Sequence, residues 1–132
     1  NRVGIRMGTA EIYRVVEALS QVRDSLVVDL EYLGRDSFMP LFVVLDDGKV
    51  LDDDLKVQIK TQIRTKASPR HVPNEIYQVQ AIPRTLTGKK MEVPVRRLLL
   101  GSPAQKVAHP DAMANPESLD FFIRLAQKLN PS

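Results

Sequence analysis

Two runs of alternating, β-branched character, residues 26–33 and 38–45, lie between stretches whose apolar residues recur at helical spacing. So few strands cannot bury their own faces, and the sequence is expected to build a small sheet covered by helices. The first run closes at Gly34 and the second at the turn Asp46-Asp47-Gly48, and Pro40 inside the second points to an edge strand or a strand's first residue. A third short run, 76–81, follows the prolines at 69 and 73.

The helical stretches surround these runs. Ile12, Val15, Val16 and Leu19 give a first helix over 9–19, with Glu11 early near the positive end of its dipole. Leu55, Ile59 and Ile63 give a second, directly after Asp52-Asp53-Asp54. That acidic run reads as helix capping rather than a metal cluster, because it sits where the backbone N–H groups need acceptors. A third helix is expected over 92–100, with Pro94 tolerable in its first turn and Gly101 as its stop. Residues 102–115 carry two prolines and no periodicity and read as a linker over the surface. A terminal helix follows, with Asn115 as cap, Pro116 at its first position and an apolar stripe of Leu119, Phe122, Ile123, Ala126 and Leu129. The fold class is therefore α+β, a small three-stranded sheet with flanking helices, and 132 residues suit one such domain.

The chain contains no cysteine, which excludes a disulfide framework, a thiolate metal site and a cysteine nucleophile. Its two histidines, His71 and His109, lie in separate loops and read as surface residues. No apolar run approaches a membrane span, no signal peptide is visible, and a cytoplasmic protein is expected. A formal charge of +3 suits an anionic partner as well as it suits an ordinary solvated surface. Because the chain opens on Asn1, inside what reads as an ordered element, it is expected to be part of something longer.

Two loops carry chemistry. Pro83-Arg84-Thr85-Leu86-Thr87-Gly88-Lys89-Lys90 lies between a strand and a helix. It is similar to the end of a phosphate-binding loop, but proline stands at 83 where such a loop opens on glycine. What remains is a turn fixed by Thr85 and Thr87, bent at Gly88, projecting Lys89. Near the start, Gly4-Ile5-Arg6-Met7-Gly8 sets an arginine between two glycines, where backbone can approach a ligand and a guanidinium can meet phosphate. Taken singly, each reads as readily as surface.

Their order and spacing together resemble the small C-terminal domain of adenylate-forming enzymes, the acyl-CoA synthetases, peptide-synthetase adenylation domains and luciferases, over residues 1–101. Gly8-Thr9-Ala10-Glu11-Ile12 is similar to the acetyl-CoA synthetase branch. Ser68-Pro69-Arg70-His71-Val72-Pro73, the run from Gly88 to Arg97 and the tail of 102–132 are most similar to the acetoacetyl-CoA synthetase branch. Where acetyl-CoA synthetases carry Ile-Met-Arg-Arg after the glycine and lysine, this chain has Lys90-Met91-Glu92-Val93.

The resemblance implies a lid domain in 1–101 and a linker with a helical extension in 102–132. It implies ligation of a carboxylic acid to CoA through an acyl-adenylate, with acetoacetate as the expected acid. By the same resemblance Lys89 is the catalytic lysine of adenylation, Arg6 meets ATP, and Gly4 and Arg64 meet CoA. The implied cofactors are ATP, CoA and the Mg2+ that accompanies ATP. The implied partner is a large N-terminal AMP-binding domain of the same polypeptide; because an exposed loop lysine can be acylated with loss of its charge, a protein lysine acetyltransferase and deacetylase acting at Lys89 are expected beside it. A domain without that partner is not expected to turn over alone. No nucleic acid and no membrane are expected as partners. Acetate or another short acid stays open, because the family's acyl pocket lies upstream of Asn1. A small basic nucleic-acid-binding module is the reading from another class; 5% aromatic residues, no Trp and strands without paired exposed aromatics weigh against it.

Overall fold

The structure, a computed structural model, describes residues 8–30 and 38–130. Its elements are α1 (Gly8–Glu17), β1 (Val22–Val27), β2 (Pro40–Leu45), α2 (Asp53–Lys66), β3 (Glu75–Gln78), α3 (Glu92–Leu99), the single turn α4 (Ala104–Val107) and α5 (Leu119–Leu129). Three 3-10 turns, Pro69–His71, Pro110–Ala112 and Pro116–Ser118, join them.

The sheet has the order β1-β2-β3, with β1 antiparallel and β3 parallel to β2. Pro40 stands at the first residue of the central strand, the position where its missing N–H does least harm to the ladder. Alternation along β2 sends Leu41, Val43 and Leu45 to one face and Phe42 to the other. The first face is covered by Ile12, Val15 and Val16 of α1 and Leu55, Ile59 and Ile63 of α2. On the second, Phe42 shares a core with Val95, Leu98 and Leu99 of α3 and Leu119, Phe122, Leu125 and Ala126 of α5. The result is three layers, α1 and α2, then sheet, then α3 and α5.

Local chemistry explains the well-placed boundaries. Asp52 caps α2 with its side chain, accepting from Leu55 N–H at 2.8 Å, while Asp53 and Asp54 occupy the first turn. Gly101, at φ +112°, turns the chain out of α3, and its N–H reaches the Leu98 carbonyl at 3.0 Å.

Elsewhere the structure moves the expected boundaries. β1 starts at Val22 rather than 26, because its pairing with β2 runs from Val22–Leu45 to Val27–Leu41. A bulge between Val22 and Asp24 breaks the alternation that would have revealed this start. Beyond Val27, Leu30 still bridges to Phe38, and the rest of the expected run lies outside the described residues. Residues 102–115 are not merely draped over the surface. Met113 is buried in the core with Phe42 and Phe122, and it pairs with Thr85 in a β-bridge. Asn115 makes no cap bond to the turn that follows it. The α5 stripe also includes Leu125, buried alongside Phe122 and Ala126.

Candidate functional site

The segment 83–91 folds as a small hairpin leading into α3. Arg84 and Lys90 face each other in an antiparallel bridge, Thr85 N–H donates to the Lys89 carbonyl at 2.9 Å, and Met91 N–H donates to the Pro83 carbonyl at 3.1 Å. The turn itself is closed by Gly88 N–H on the Thr85 carbonyl at 2.9 Å. Gly88 has φ +90°, a conformation costly for any residue with a Cβ. Thr85 Oγ1 accepts from Lys89 N–H at 3.1 Å and lies 3.0 Å from Thr87 Oγ1, so both threonines fix the turn as expected.

Lys89 is exposed, and its ammonium has no hydrogen-bond or ion-pair partner among the described residues. Leu86 is 67% exposed at the tip. The feet of the hairpin are held tightly by comparison. Arg84 forks onto Asp24 of β1, with Nη2 at 2.8 Å from both carboxylate oxygens and Nε at 3.2 Å from Oδ2. Its Nη1 donates to the Gly88 carbonyl at 2.5 Å, tying β1 to the far side of the turn. This guanidinium therefore saturates a carboxylate and a turn carbonyl at once.

The other foot is Lys90, whose side chain is only 16% exposed. Its ammonium meets Glu17 Oε2 at 2.5 Å, the Ser25 carbonyl at 2.6 Å and Asp24 Oδ1 at 3.5 Å, and lies 3.5 Å from the centre of the Tyr13 ring. Tyr13 in turn donates its hydroxyl to Glu92 Oε2 at 2.6 Å and accepts from Val27 N–H at 3.2 Å. Burial first, and then the hydrogen bond to Glu92, push the Tyr13 phenol well above its ordinary value. One polar seam thus joins α1, β1, the hairpin and the start of α3.

Among the residues expected to act, Lys89 stands at the free end of this hairpin. Arg64 lies in the last turn of α2, exposed and without an ion-pair partner among the described residues. It is not brought to the hairpin, since α2 covers the opposite face of the sheet from α3. Gly4 and Arg6 lie outside the described residues. Sequence reasoning missed Arg84, Lys90, Asp24, Glu17, Tyr13 and Asn115 as a supporting set. The one local signal was the placing of charges on both sides of Gly88-Lys89, together with Tyr13 and Glu17 four apart on one helix face. Among the described residues no group of three or more His, Cys, Asp or Glu is placed to hold a metal ion. No helix among them is long and apolar enough to cross a membrane.

Residues 11–89 match the AMP-binding enzyme C-terminal domain family. The chain is 43% identical over 125 residues to the acetoacetyl-CoA synthetase of Caenorhabditis elegans, covering 94% of this chain and 17% of that protein. It is 43% identical over 127 residues to the acetoacetyl-coenzyme A synthetase of Rhizobium meliloti (strain 1021), covering 96% of this chain and 19% of that one. Among solved structures, the acetoacetyl-CoA synthetase from Streptomyces lividans superposes with a TM-score of 0.87 at 50% identity, over 98% of this chain and 19% of that chain. The chain thus spans less than a fifth of the length of these relatives.

Proposed function

Since the chain belongs to the AMP-binding enzyme C-terminal domain family, we propose that it is the mobile lid of an ATP-dependent acyl-CoA ligase whose acid is acetoacetate. The choice of acid rests on the named relatives, all acetoacetyl-CoA synthetases, which match over more than nine-tenths of this chain. In this proposal 1–101 form the lid and 102–132 an extension, and a large AMP-binding domain of the same polypeptide supplies the acyl and nucleotide pockets in the cytoplasm.

Two steps would share the lid. A carboxylate oxygen of acetoacetate attacks the α-phosphorus of ATP, and the bond to pyrophosphate breaks, with pyrophosphate leaving with the electron pair. The CoA sulfur then attacks the acyl carbon, AMP departs with its oxygen, and the thiol proton passes to solvent. Lys89 serves the first step: its ammonium bridges substrate carboxylate and phosphate oxygens as negative charge shifts between them. Arg6 would meet the phosphates of ATP. In the second step Gly4 leaves room for the CoA thiol arm and Arg64 meets the CoA nucleotide. Mg2+ would arrive with ATP and neutralise phosphate charge, held mainly by the large domain.

The observation that carries the reading is the contrast between adjacent lysines. Lys90 is sunk in carboxylates, while Lys89 has no partner among the described residues and stands at the end of a hairpin held at both feet. An exposed amine is also open to acylation by an acetyltransferase, which would remove its charge and switch off adenylation until a deacetylase reversed it.

In the full-length enzyme Lys89→Ala is expected to slow adenylation, read by pyrophosphate exchange, by about a hundred- to a thousand-fold. Thioester formation from supplied acetoacetyl-adenylate should persist. Equal loss of both half-reactions overturns the role of Lys89, and faster turnover of acetate than acetoacetate overturns the choice of acid.

A further inference from the structure

The outer limb of the lysine hairpin does not end in solvent. Leu86 N–H donates to the Ala112 carbonyl at 3.1 Å, and Ala114 N–H donates to the Arg84 carbonyl at 3.0 Å. Thr85 and Met113 pair between them in an antiparallel bridge. Asn115 completes the run: its Oδ1 accepts from Arg84 N–H at 3.1 Å and its Nδ2 donates to the Ile82 carbonyl at 2.9 Å. Residues 112–115 therefore behave as an added strand along 82–86, with one asparagine side chain finishing the ladder where the backbones part.

This segment is anchored from both sides. Met113 is buried in the core shared by β2, α3 and α5, and after Asn115 the chain enters the turn that starts α5, whose Phe122 packs on Phe42. The family match ends at residue 89, so the added strand comes from sequence beyond the part shared with the family at large.

We infer that 112–115 is a strap that positions the Lys89 hairpin for adenylation, with Asn115 as its main positioning residue; the inference rests on the role proposed for Lys89. Arg84 and Lys90 hold the inner side of the hairpin to β1 and α1, and the strap holds its outer side to the α5 layer. A turn gripped on one side only can rock about that edge and carry the lysine ammonium with it. Gripped on both, it delivers the ammonium at one height above the lid.

The test uses the full-length enzyme with Asn115→Ala and, as a milder change that keeps an oxygen acceptor for Arg84 N–H, Asn115→Asp. Asn115→Ala is expected to lower kcat of pyrophosphate exchange roughly tenfold, the scale of one or two lost positioning hydrogen bonds, with KM for ATP unchanged. Thioester formation from supplied adenylate stays within about twofold, and Asn115→Asp recovers part of the lost rate. Amide exchange over 82–89 accelerates while that of 41–44 does not. Parallel loss in both half-reactions, or unchanged exchange over 82–89 in both variants, overturns the strap. If Asn115→Ala loosens 82–89 while Lys89→Ala keeps full adenylation, the role given to Lys89 falls and the strap loses its catalytic purpose, which separates the two failures.

Discussion

Replacing Phe122 with alanine tests whether the C-terminal extension and the sheet are one cooperative body. The ring is fully buried, with its centroid 4.7 Å from that of Phe42 at 68° and 5.5 Å from that of Phe121. Phe42 in turn stacks on Tyr77 at 5.3 Å, so Phe122 closes an aromatic cluster that includes two strands and α5. Core Phe→Ala substitutions cost about 3–5 kcal/mol, and the aromatic pairing adds to the loss of area. Phe42 is fixed on the central strand and cannot slide into the void, which puts the expected cost near the middle of that range, about 4 kcal/mol. With unfolding entropy near 2.1 cal/mol/K per residue, the expected fall in Tm is roughly 14 °C. Calorimetry on the variant should show one transition, displaced as a whole, and amides over 41–44 should exchange faster together with those of α5. Asp120→Ala, on the exposed side of the same helix, should stay within about 0.5 kcal/mol of the parent. A separate low-temperature transition of α5, with the exchange of 41–44 unaltered, would refute the shared core.

Two further outcomes are expected. The folded state holds the Tyr13 proton after an unfolded chain has released it near the ordinary phenol value of 10.0, because burial and the bond to Glu92 raise that group. Stability conferred by the protonated phenol is therefore complete below that value and falls as pH rises above it; denaturant titrations should show the fall, and Tyr13→Phe should flatten it, leaving the smaller contribution of Tyr77, raised in the same direction. An equally steep fall in Tyr13→Phe refutes this. Arg64→Ala, at an exposed site, should change stability by less than about 0.5 kcal/mol yet raise KM for CoA roughly three- to fivefold in the full-length enzyme, leaving pyrophosphate exchange intact. Unaltered CoA kinetics would remove Arg64 from the CoA site.

What could be read from the chain was whatever a few neighbouring residues decide. Asp52 capping Leu55 N–H, Gly101 ending α3 and Gly88 bending the lysine turn are each settled within a span of three or four residues. The start of β1 was not legible, because Val22 to Ser25 are strand only by virtue of facing Leu45 to Val43 across a bulge. Asn115 illustrates the limit from the other side. Its position before Pro116 is a sound cap signature, but the open backbone groups of Ile82 and Arg84, more than thirty residues away, claim the side chain instead. The burial of Lys90 beside the exposed Lys89 was not legible for the same reason. Glu17 and Asp24, which distinguish them, are supplied by α1 and β1, over sixty residues earlier.

The double grip on the lysine hairpin also bears on how cheaply a lid can change position. Ordering one free backbone residue costs on the order of 1–2 kcal/mol, so a floppy turn over 85–89 would forfeit several kcal/mol each time it entered a pocket and regain them on leaving. Here that entropy is surrendered once, when the domain folds. If the lid swings as proposed, the hairpin travels as part of a solid body, and the cost of each visit falls on the hinge rather than on the lysine's own loop.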